Sequence, residues 1–217
     1  MAATKKRKGL FLVFEGCEGV GKTTQAKLLR DWLTSNGYKS VLTKEPGGDE
    51  GICSDIRKIL LNEKYGKSMD YVAEFLLFES DRAQHVGKII KPALEMGHTV
   101  ISDRYSAGTF AYQCVARKVC DIPEFRTIDN FATRKLEPSH IFWMDLDPAI
   151  GLKRNVAIGK RDRFEKEKLS FHQAVRRGYE EYFEYVAPRN RWTKLDASLP
   201  IDEIHWKIRE ILEKRFL

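Results

Sequence analysis

A glycine-rich loop within FEGCEGVGKTTQ, residues 14–25, constrains the fold of this chain more than any other stretch. Four of its residues fit the pattern G-x-x-x-x-G-K-[ST]: Gly16, Gly21, Lys22 and Thr23. Glycines in such a loop let the backbone turn tightly and direct N–H groups at phosphates, and the following helix points its positive end at them. An apolar run precedes the loop and an amphipathic stretch follows it, as the pattern requires. We therefore expect the loop to hold a nucleoside triphosphate rather than to match by chance.

Short apolar runs alternate with amphipathic stretches along the rest of the chain. The apolar runs predict five strands, at 10–15, 40–44, 99–103, 140–147 and 193–197. The stretches between them predict helices at 22–35, 53–61, 71–84 (continuing to 96 with a kink at Pro92), 109–117, 123–136, 149–158, 171–185 and from 201 onward. Strands separated by helices imply right-handed crossovers, so we expect an α/β fold with a five-stranded parallel sheet and helices on both faces.

Composition and charge bound the organisation and the partners. With 217 residues, 42% of them hydrophobic, the chain suits a single domain over 10–217, preceded by a basic flexible tail at 1–9. Part of the net charge of +7 sits in that tail, and the remaining basic residues are mixed with acids, which favours a phosphate pocket over a nucleic-acid-binding stripe. No apolar run is long enough to span a bilayer. We expect neither a nucleic-acid partner nor a membrane.

The four cysteines are scattered and form no CxxC pair. This argues against a disulfide framework or a cysteine metal site and favours a reducing, cytoplasmic compartment. The five histidines show no ligand spacing, and we expect them to be structural or exposed.

The phosphate loop alone does not define the activity, because GTPases and DNA-bound ATPases also carry one. A GTPase should have an Asp-x-x-Gly switch, and no glycine of this chain has an aspartate three positions before it. TKLD at 193–196 imitates the guanine-reading signature [NT]KxD, but without the switch we interpret it as a strand end. A switch protein or nucleic-acid-dependent ATPase remains an alternative from another class.

Further motifs follow the loop in a fixed order. They are KEPGG at 44–48, LLFESDR at 76–82, SDRYSAGTFAYQ at 102–113, GLKR at 151–154 and RDRFE at 161–165. Together with GCEGVGKTT they resemble the thymidylate kinase family from about Leu10 to the C-terminus. The match is closest to the bacterial-type branch, which has no arginine inside the phosphate loop.

This resemblance implies a P-loop kinase fold with a mobile lid and an enzyme that transfers phosphate from ATP to dTMP, yielding dTDP and supporting dTTP synthesis for DNA replication. It also implies Mg²⁺ as the cofactor and a homodimer, with which the apolar clusters around Phe75 and Phe110 are compatible. The sequence leaves the acceptor range open, so a kinase for another monophosphate such as dUMP or dGMP is the nearest rival.

At the donor end, the resemblance assigns ATP to the loop residues Gly16, Cys17, Glu18, Gly19, Val20, Gly21, Lys22, Thr23 and Thr24. Lys22 is expected to reach the β- and γ-phosphates, and the Thr23 hydroxyl to ligate Mg²⁺. Asp103 and Glu18 are implied near the metal and the phosphoryl groups. The catalytic set is then Glu18, Lys22, Asp103, Arg104, Arg161 and Arg163.

At the acceptor end, the resemblance implies that Phe78 stacks on thymine, that Arg82 donates to its O4 and that Gln113 reads the other polar edge of the base. Arg57 and Arg104 are implied to bind the dTMP phosphate. The other substrate-binding residues are Glu45, Thr109 and Tyr112. Phe78 and Arg82 are four residues apart and share a helix face, although periodicity alone favours a core position for Phe78.

The acid in the phosphate loop raises a separate question. Glu18 would repel phosphate unless it faced Mg²⁺, a metal-bound water or the acceptor sugar, and Lys22 is the only cation that GCEGVGKT offers. A phosphoryl transition state needs further positive charge. We expect the charged lid, about 159–168, to supply it through Arg161 or Arg163, with Glu165 holding Arg163 in place.

Two residues depart from the family pattern. Lys44 stands where an arginine usually precedes EPGG, so the charge is kept but the bidentate fork is lost. Gly108 stands where the family usually has serine, and Ser106 or Thr109 is expected to replace that hydroxyl.

Overall fold

A five-stranded parallel sheet forms the centre of the molecule. The computed structural model describes residues 9–66, 68–157, 159 and 162–217. The strands are β1 (Phe11–Glu15), β2 (Ser40–Lys44), β3 (Thr99–Asp103), β4 (His140–Asp145) and β5 (Trp192–Asp196). They are ordered β2-β3-β1-β4-β5, and every neighbouring pair is parallel. The predicted α/β class and its five-stranded parallel sheet are confirmed.

Helices connect the strands. They are α1 (Lys22–Ser35), α2 (Ile52–Leu61), α3 (Tyr71–His85), α4 (Lys91–Glu95), α5 (Ser106–Thr109), α6 (Ile122–Thr133), α7 (Pro148–Ala157), α8 (Leu169–Glu181) and α9 (Ile201–Arg215). Three wider π-helical turns extend α3, α5 and α8, at Val86–Ile90, Phe110–Ala116 and Tyr182–Val186. A short 3₁₀ turn lies at Glu63–Tyr65.

Both faces of the sheet are covered. All five residues of β1 are buried, and alternate side chains of a strand point to opposite faces, so helices must pack on each side. Phe14 of β1 stacks on Phe142 of β4 with ring centroids 5.2 Å apart. Helix α1 contacts β1, β2 and β3 and packs against α9. Because all strands run in one direction, the loops that follow β1, β2 and β3 meet at the same edge of the sheet.

Several details differ from the sequence-based expectations. The helix that starts at Tyr71 does pass beyond Gln84, but the irregular turn lies at Val86–Ile90, and Pro92 sits at the start of α4, where its missing N–H costs little. Gly9, counted with the basic tail, is buried, and a Cβ there would meet the His98 carbonyl oxygen at 2.4 Å. Residues 1–8 lie outside the described part of the chain.

The apolar clusters considered for a homodimer divide into buried and exposed members. Phe75 and Phe110 themselves are buried in the core and cannot contact a second copy. Val72 and Leu76 of the same helix as Phe75 are about half exposed, at 51% and 47%. Among the described residues, no helix is both long and apolar enough to cross a membrane.

Candidate active site

The phosphate loop joins the end of β1 to the start of α1 and needs its glycines. Gly16 has φ of +138° and Gly19 has φ of +70°, values that side-chain-bearing residues rarely adopt. A Cβ at Gly16 would lie 2.2 Å from the Met144 carbonyl oxygen, and one at Gly19 would lie 2.0 Å from that of Gly151. The loop is thus pressed against β4 and α7, with the N-terminus of α1 open toward a ligand.

Lys22 is already folded into this loop. Its Nζ donates to the carbonyl oxygens of Gly16 at 3.0 Å and Cys17 at 2.6 Å. Burial, followed by the nearby guanidinium of Arg104, lowers the pKa of Lys22 to about 8. The ammonium is therefore held at the loop by carbonyl groups that an anionic ligand can readily replace.

An oxygen pair stands at the start of α1. The Thr23 hydroxyl donates to Oδ2 of Asp103, which ends β3. A hydroxyl and a carboxylate are hard ligands of the kind that Mg²⁺ takes together with phosphate oxygens and water. Among the described residues there is no group of three or more His, Cys, Asp and Glu that could hold a metal by itself. This pair fits a magnesium that needs the nucleotide to complete its ligands.

Glu18 faces an arginine. Its Oε1 accepts from Nη2 of Arg104 at 2.5 Å and from the hydroxyl of Tyr112 at 2.9 Å. Nη1 of Arg104 donates in addition to the Gly16 carbonyl at 3.1 Å and the Tyr179 hydroxyl at 2.8 Å. The backbone of Arg104 has φ of +78°, an uncommon value outside glycine that surrounding contacts must maintain. The negative charge of Glu18 is thus balanced by Arg104, the residue that follows β3.

Sequence reasoning missed the carboxylate that lies beneath this arginine. Glu15 ends β1 and is fully buried, and its Oε1 accepts from the backbone N–H groups of Tyr105 at 2.7 Å and Gly108 at 3.1 Å. Its Oε2 accepts from the Tyr179 hydroxyl at 3.0 Å. Burial raises the pKa of Glu15. The signal available in the sequence was a lone acid at the end of an otherwise apolar strand.

Gly108 lines the same network. A Cβ built there would lie 3.4 Å from Oε2 of Glu15 and 3.6 Å from Nη1 of Arg104, which are ordinary contacts. A Cβ therefore has room at this position, and glycine leaves no side-chain hydroxyl next to Arg104. Thr109, expected to replace that hydroxyl, instead accepts from Nη2 of Arg82 at 2.8 Å, and Ser106 is buried.

Three acidic side chains surround Arg82, the residue predicted to bind the base. Nε donates to Glu45 at 3.0 Å, and Nη1 donates to Glu79 at 2.6 Å and Asp129 at 3.3 Å. With the Thr109 bond, these contacts from described residues use four of its five N–H groups and leave one on Nη2. Arg82 and Thr109 both line the cavity, so this N–H is the group that can meet a ligand.

The loop after β2 carries further charged groups to the cavity. Nη1 of Arg57 donates to the Pro46 carbonyl at 2.7 Å, and the Gly47 N–H donates to Asp81 at 3.0 Å. Oε1 of Glu45 lies 2.9 Å from Nδ1 of the buried His85. His85 is thus structural, as expected, and Glu45 bridges it to Arg82. Lys44 is exposed and also lines the cavity.

Three aromatic rings lie close together where the base is predicted to bind. The Phe164 ring lies 6.0 Å from that of Phe78 and 5.7 Å from that of Tyr112. All three line the cavity. Phe78 is only partly buried, which leaves part of its ring for a ligand, as the base-stacking prediction requires.

The lid contacts differ from those predicted. Arg163 is buried, and its Nη1 pairs with Glu74 at 2.6 Å, while its Nε donates to the Leu60 carbonyl. Glu165 instead accepts from Asn155 at 2.8 Å, so the predicted Arg163–Glu165 contact is wrong. The partner of Arg163 is a carboxylate on α3, which is distant in sequence and could not be identified from the lid segment alone. Arg161, the other predicted lid cation, lies outside the described residues.

The phosphate loop, Arg104 and the side chains around Phe78 line one cavity of about 1290 Å³. A site for one small ligand usually measures roughly 300–1,000 Å³, so the space admits two nucleotides. Its lining includes the phosphate-loop residues from Glu18 to Thr24 and also Phe78, Arg82 and Gln113. Arg104 lines it too and contacts both Glu18 of the loop and Tyr112, the neighbour of Gln113. Gly16 and Cys17, also predicted to bind ATP, are not part of the lining.

Comparisons with known proteins identify one family. The family model described as Thymidylate kinase matches residues 14–208. The chain is 39% identical over 206 residues to the thymidylate kinase of a Nostoc species, a match that covers 94% of this chain and 95% of that protein. It is 41% identical to the thymidylate kinases of a Sulfurihydrogenibium species and of Carboxydothermus hydrogenoformans, over 95% of this chain and 98% of each relative.

Proposed function

This chain belongs to the thymidylate kinase family, and we propose that it transfers the γ-phosphoryl group of ATP to the 5′-phosphate of dTMP, giving dTDP and ADP. The observation that carries the proposal is that one cavity is lined both by the phosphate loop and by Phe78, Arg82 and Gln113, the residues to which we assign the base. Arg104 contacts both Glu18 of the loop and Tyr112 beside Gln113, and we place the meeting of the two phosphate chains there. Positioning and charge neutralisation of this kind account for most of the catalysis in phosphoryl transfer.

We assign the donor phosphates to the loop at 16–24. Lys22 exchanges its bonds with the Gly16 and Cys17 carbonyls for bonds to the β- and γ-phosphates. Thr23 and Asp103 are the residues that would hold Mg²⁺, which supplies neutralisation of the phosphate charge when it is bound. Glu18 does not join this pair in our assignment, because its carboxylate is committed to Arg104 and Tyr112.

We assign the acceptor to the rest of the cavity. Arg57 and Arg104 bind the dTMP phosphate, and the phosphate displaces part of the contact between Arg104 and Glu18. Glu18, still bonded to Tyr112, then faces the acceptor sugar, which resolves why an acid is tolerated in this loop. Phe78 stacks on the base, and the remaining Nη2 hydrogen of Arg82 donates to O4. Glu45 and Thr109 act by holding Arg82.

We further propose that the chain is a single domain with a lid at about 159–168, acts as a homodimer and supplies dTDP for DNA precursors in the cytoplasm. The exposed apolar residues Val72 and Leu76 on α3 support the dimer. The prediction that Arg161 or Arg163 adds a cation at the transferred phosphoryl group stays a prediction.

Coupled ADP release with a panel of acceptors tests the function. dTMP should give the highest kcat/KM among dTMP, dUMP, dCMP and dGMP. Lys22→Ala should reduce turnover with dTMP on the order of 10³-fold, because it removes the cation on the donor phosphates. A parent enzyme that prefers another monophosphate, or a Lys22→Ala variant with near-normal turnover, would overturn the proposal.

A further inference from the structure

A buried carboxylate lies behind the base-binding end of the cavity. Glu74 of α3 is fully buried and does not line the cavity, but it contacts Gln113, which does. Nε2 of Gln113 donates to Oε1 of Glu74 at 2.9 Å. The charge of Glu74 is balanced by Arg163 at 2.6 Å and by Arg117 at 3.6 Å. Glu74 is therefore a buried acid that contacts two arginines and the side-chain amide of Gln113, a residue assigned to the base pocket.

The Glu74 carboxylate fixes the orientation of the Gln113 side-chain amide. An ionised carboxylate only accepts hydrogen bonds, whereas an amide has a donor side and an acceptor side. Glu74 therefore takes the NH₂ group, and Oε1 of Gln113 is the amide atom turned to the ligand. The reverse orientation would press two oxygens together inside the protein, where Gln113 is only 1% exposed and water cannot separate them.

We propose that Glu74 is a positioning residue for base selection: it holds Gln113 with its carbonyl oxygen toward the base, so that the site accepts pyrimidines that carry a proton on N3. Thymine and uracil have an N3–H that donates to this oxygen, and cytosine presents a lone pair that it repels. This inference rests on the proposed function. It adds the residue that fixes the hydrogen-bonding character of the pocket.

The selection against cytosine should be large because a buried polar group in this pocket is matched by one base and left unpaired by the other. Arg82 contributes separately at position 4 of the ring, since the Nη2 hydrogen that no described residue accepts meets O4 of thymine but the amino group of cytosine. The two contributions can be separated, because Arg82 is held by Glu45, Glu79 and Asp129 and not by Glu74.

The test compares dTMP with 5-methyl-dCMP as acceptors. These nucleotides share the methyl group, sugar and phosphate and differ only at N3 and at position 4. In Glu74→Gln the new amide can donate or accept, so neither orientation of Gln113 is favoured. The ratio of kcat/KM for dTMP to that for 5-methyl-dCMP should fall by about tenfold or more. Selectivity due to Arg82 should persist. A role in folding alone would lower both values together and leave the ratio unchanged, which would overturn the inference.

Two further variants make the test specific. Gln113→Met keeps every ion pair of Glu74 but removes the amide. The ratio of kcat/KM for dTMP to that for 5-methyl-dCMP should fall about tenfold in this variant. Adding Glu74→Gln to Gln113→Met should change the ratio by less than about twofold, because the two residues act through one contact. Arg163→Leu leaves the Glu74–Gln113 bond in place, so its ratio should stay within about threefold of the parent even if its turnover falls. A loss in Arg163→Leu equal to that in Glu74→Gln would overturn the inference.

The outcomes separate this inference from the function on which it rests. If Glu74→Gln does not fold, Gln113→Met decides, and an unchanged ratio in that variant overturns the inference. A parent enzyme that uses dTMP and 5-methyl-dCMP equally well overturns the inference and leaves the kinase assignment standing. A parent enzyme that does not phosphorylate dTMP overturns both.

Discussion

Several charged groups of the site are buried before any ligand arrives, among them Lys22, Glu45 and Arg82. Lys22, Arg82 and Arg104 each have protein partners, and Arg104 adopts a left-handed backbone conformation that Glu15 and Tyr179 support from below. Groups held this way need little reorganisation when phosphates replace the protein oxygens. The same burial makes the site sensitive to pH, since it changes the free energy of the charged forms.

Lys22 should set an alkaline limit on ATP use. Its pKa of about 8 in the free enzyme means that the ammonium loses its proton above that pH, and only the charged form binds phosphate. The value of kcat/KM for ATP should therefore fall above about pH 8. Lys22→Arg stays protonated throughout and should lack this limb, even if it is less active. A parent profile that stays flat to about pH 9.5 would contradict this account of Lys22.

Phe78 and Arg82 should differ in what their loss does. Phe78→Ala removes a partly exposed ring and should weaken dTMP binding by about 1–3 kcal/mol with little change in stability. Arg82→Ala leaves the carboxylates of Glu45 and Glu79 buried without their partner, which should destabilise the fold by about 3–5 kcal/mol besides weakening dTMP binding. Isothermal titration with dTMP and thermal unfolding separate the two effects. Unchanged dTMP affinity in Phe78→Ala would mean that the base binds elsewhere. The control is Phe131→Ala, which removes a ring that is 88% exposed.

Secondary structure elements were more predictable than their irregular turns. The strands at β2 and β3 and helix α1 begin and end where hydrophobic periodicity places them. The π-helical turn at Phe110–Ala116 was expected as a regular helix, because such a turn depends on packing against α8 and not on local sequence. It carries Tyr112 and Gln113, so their tertiary contacts could not be derived from helix periodicity.

The arginines of the α7–lid region should have separable roles. Arg163 pairs with the buried Glu74 and does not line the cavity, so Arg163→Ala should lower kcat far less than the loss of a transition-state cation would. Arg161→Ala should instead lower kcat on the order of 10³-fold with dTMP affinity largely kept, as for loss of a transition-state cation. Arg154→Ala serves as the comparison, because Arg154 lies at the cavity rim bonded to the Ala197 carbonyl. If steady-state kinetics show that all three variants turn over within a few-fold of the parent, the lid supplies no catalytic cation and is only a surface loop.

On the scale of the whole molecule, the parallel sheet explains why separate motifs form one site. Because β1 lies between β3 and β4, the loop after β1 meets DRY at the end of β3, and EPGG follows β2 at the same edge. Most of the residues that the motifs single out therefore line this cavity, with Gly16, Cys17 and Arg163 as exceptions among the described residues. They could not predict the supporting layer of Glu15 and Glu74, because those carboxylates acquire their roles only from residues distant in sequence.

The exposed apolar surface predicts a homodimer. Tyr71, Val72 and Leu76 on α3 and Ile52 on α2 are each 46–58% exposed, and α2 packs against α3. Exposed apolar side chains on neighbouring helices are typical of a protein interface. Light scattering at micromolar concentration should give twice 25.1 kDa. Leu76→Glu should shift the mass to a monomer, and Phe131→Glu on α6 should not. A monomeric parent would reject the dimer.

The fate of the γ-phosphoryl group tests the central claim most directly. The enzyme would be mixed with γ-labelled ATP, with and without dTMP, and the labelled products separated. If the cavity joins donor and acceptor as described, the label appears in dTDP, at a rate about 10²-fold or more above the appearance of labelled inorganic phosphate. Label that appears in inorganic phosphate at the same rate with and without dTMP would instead identify an ATPase and contradict the account.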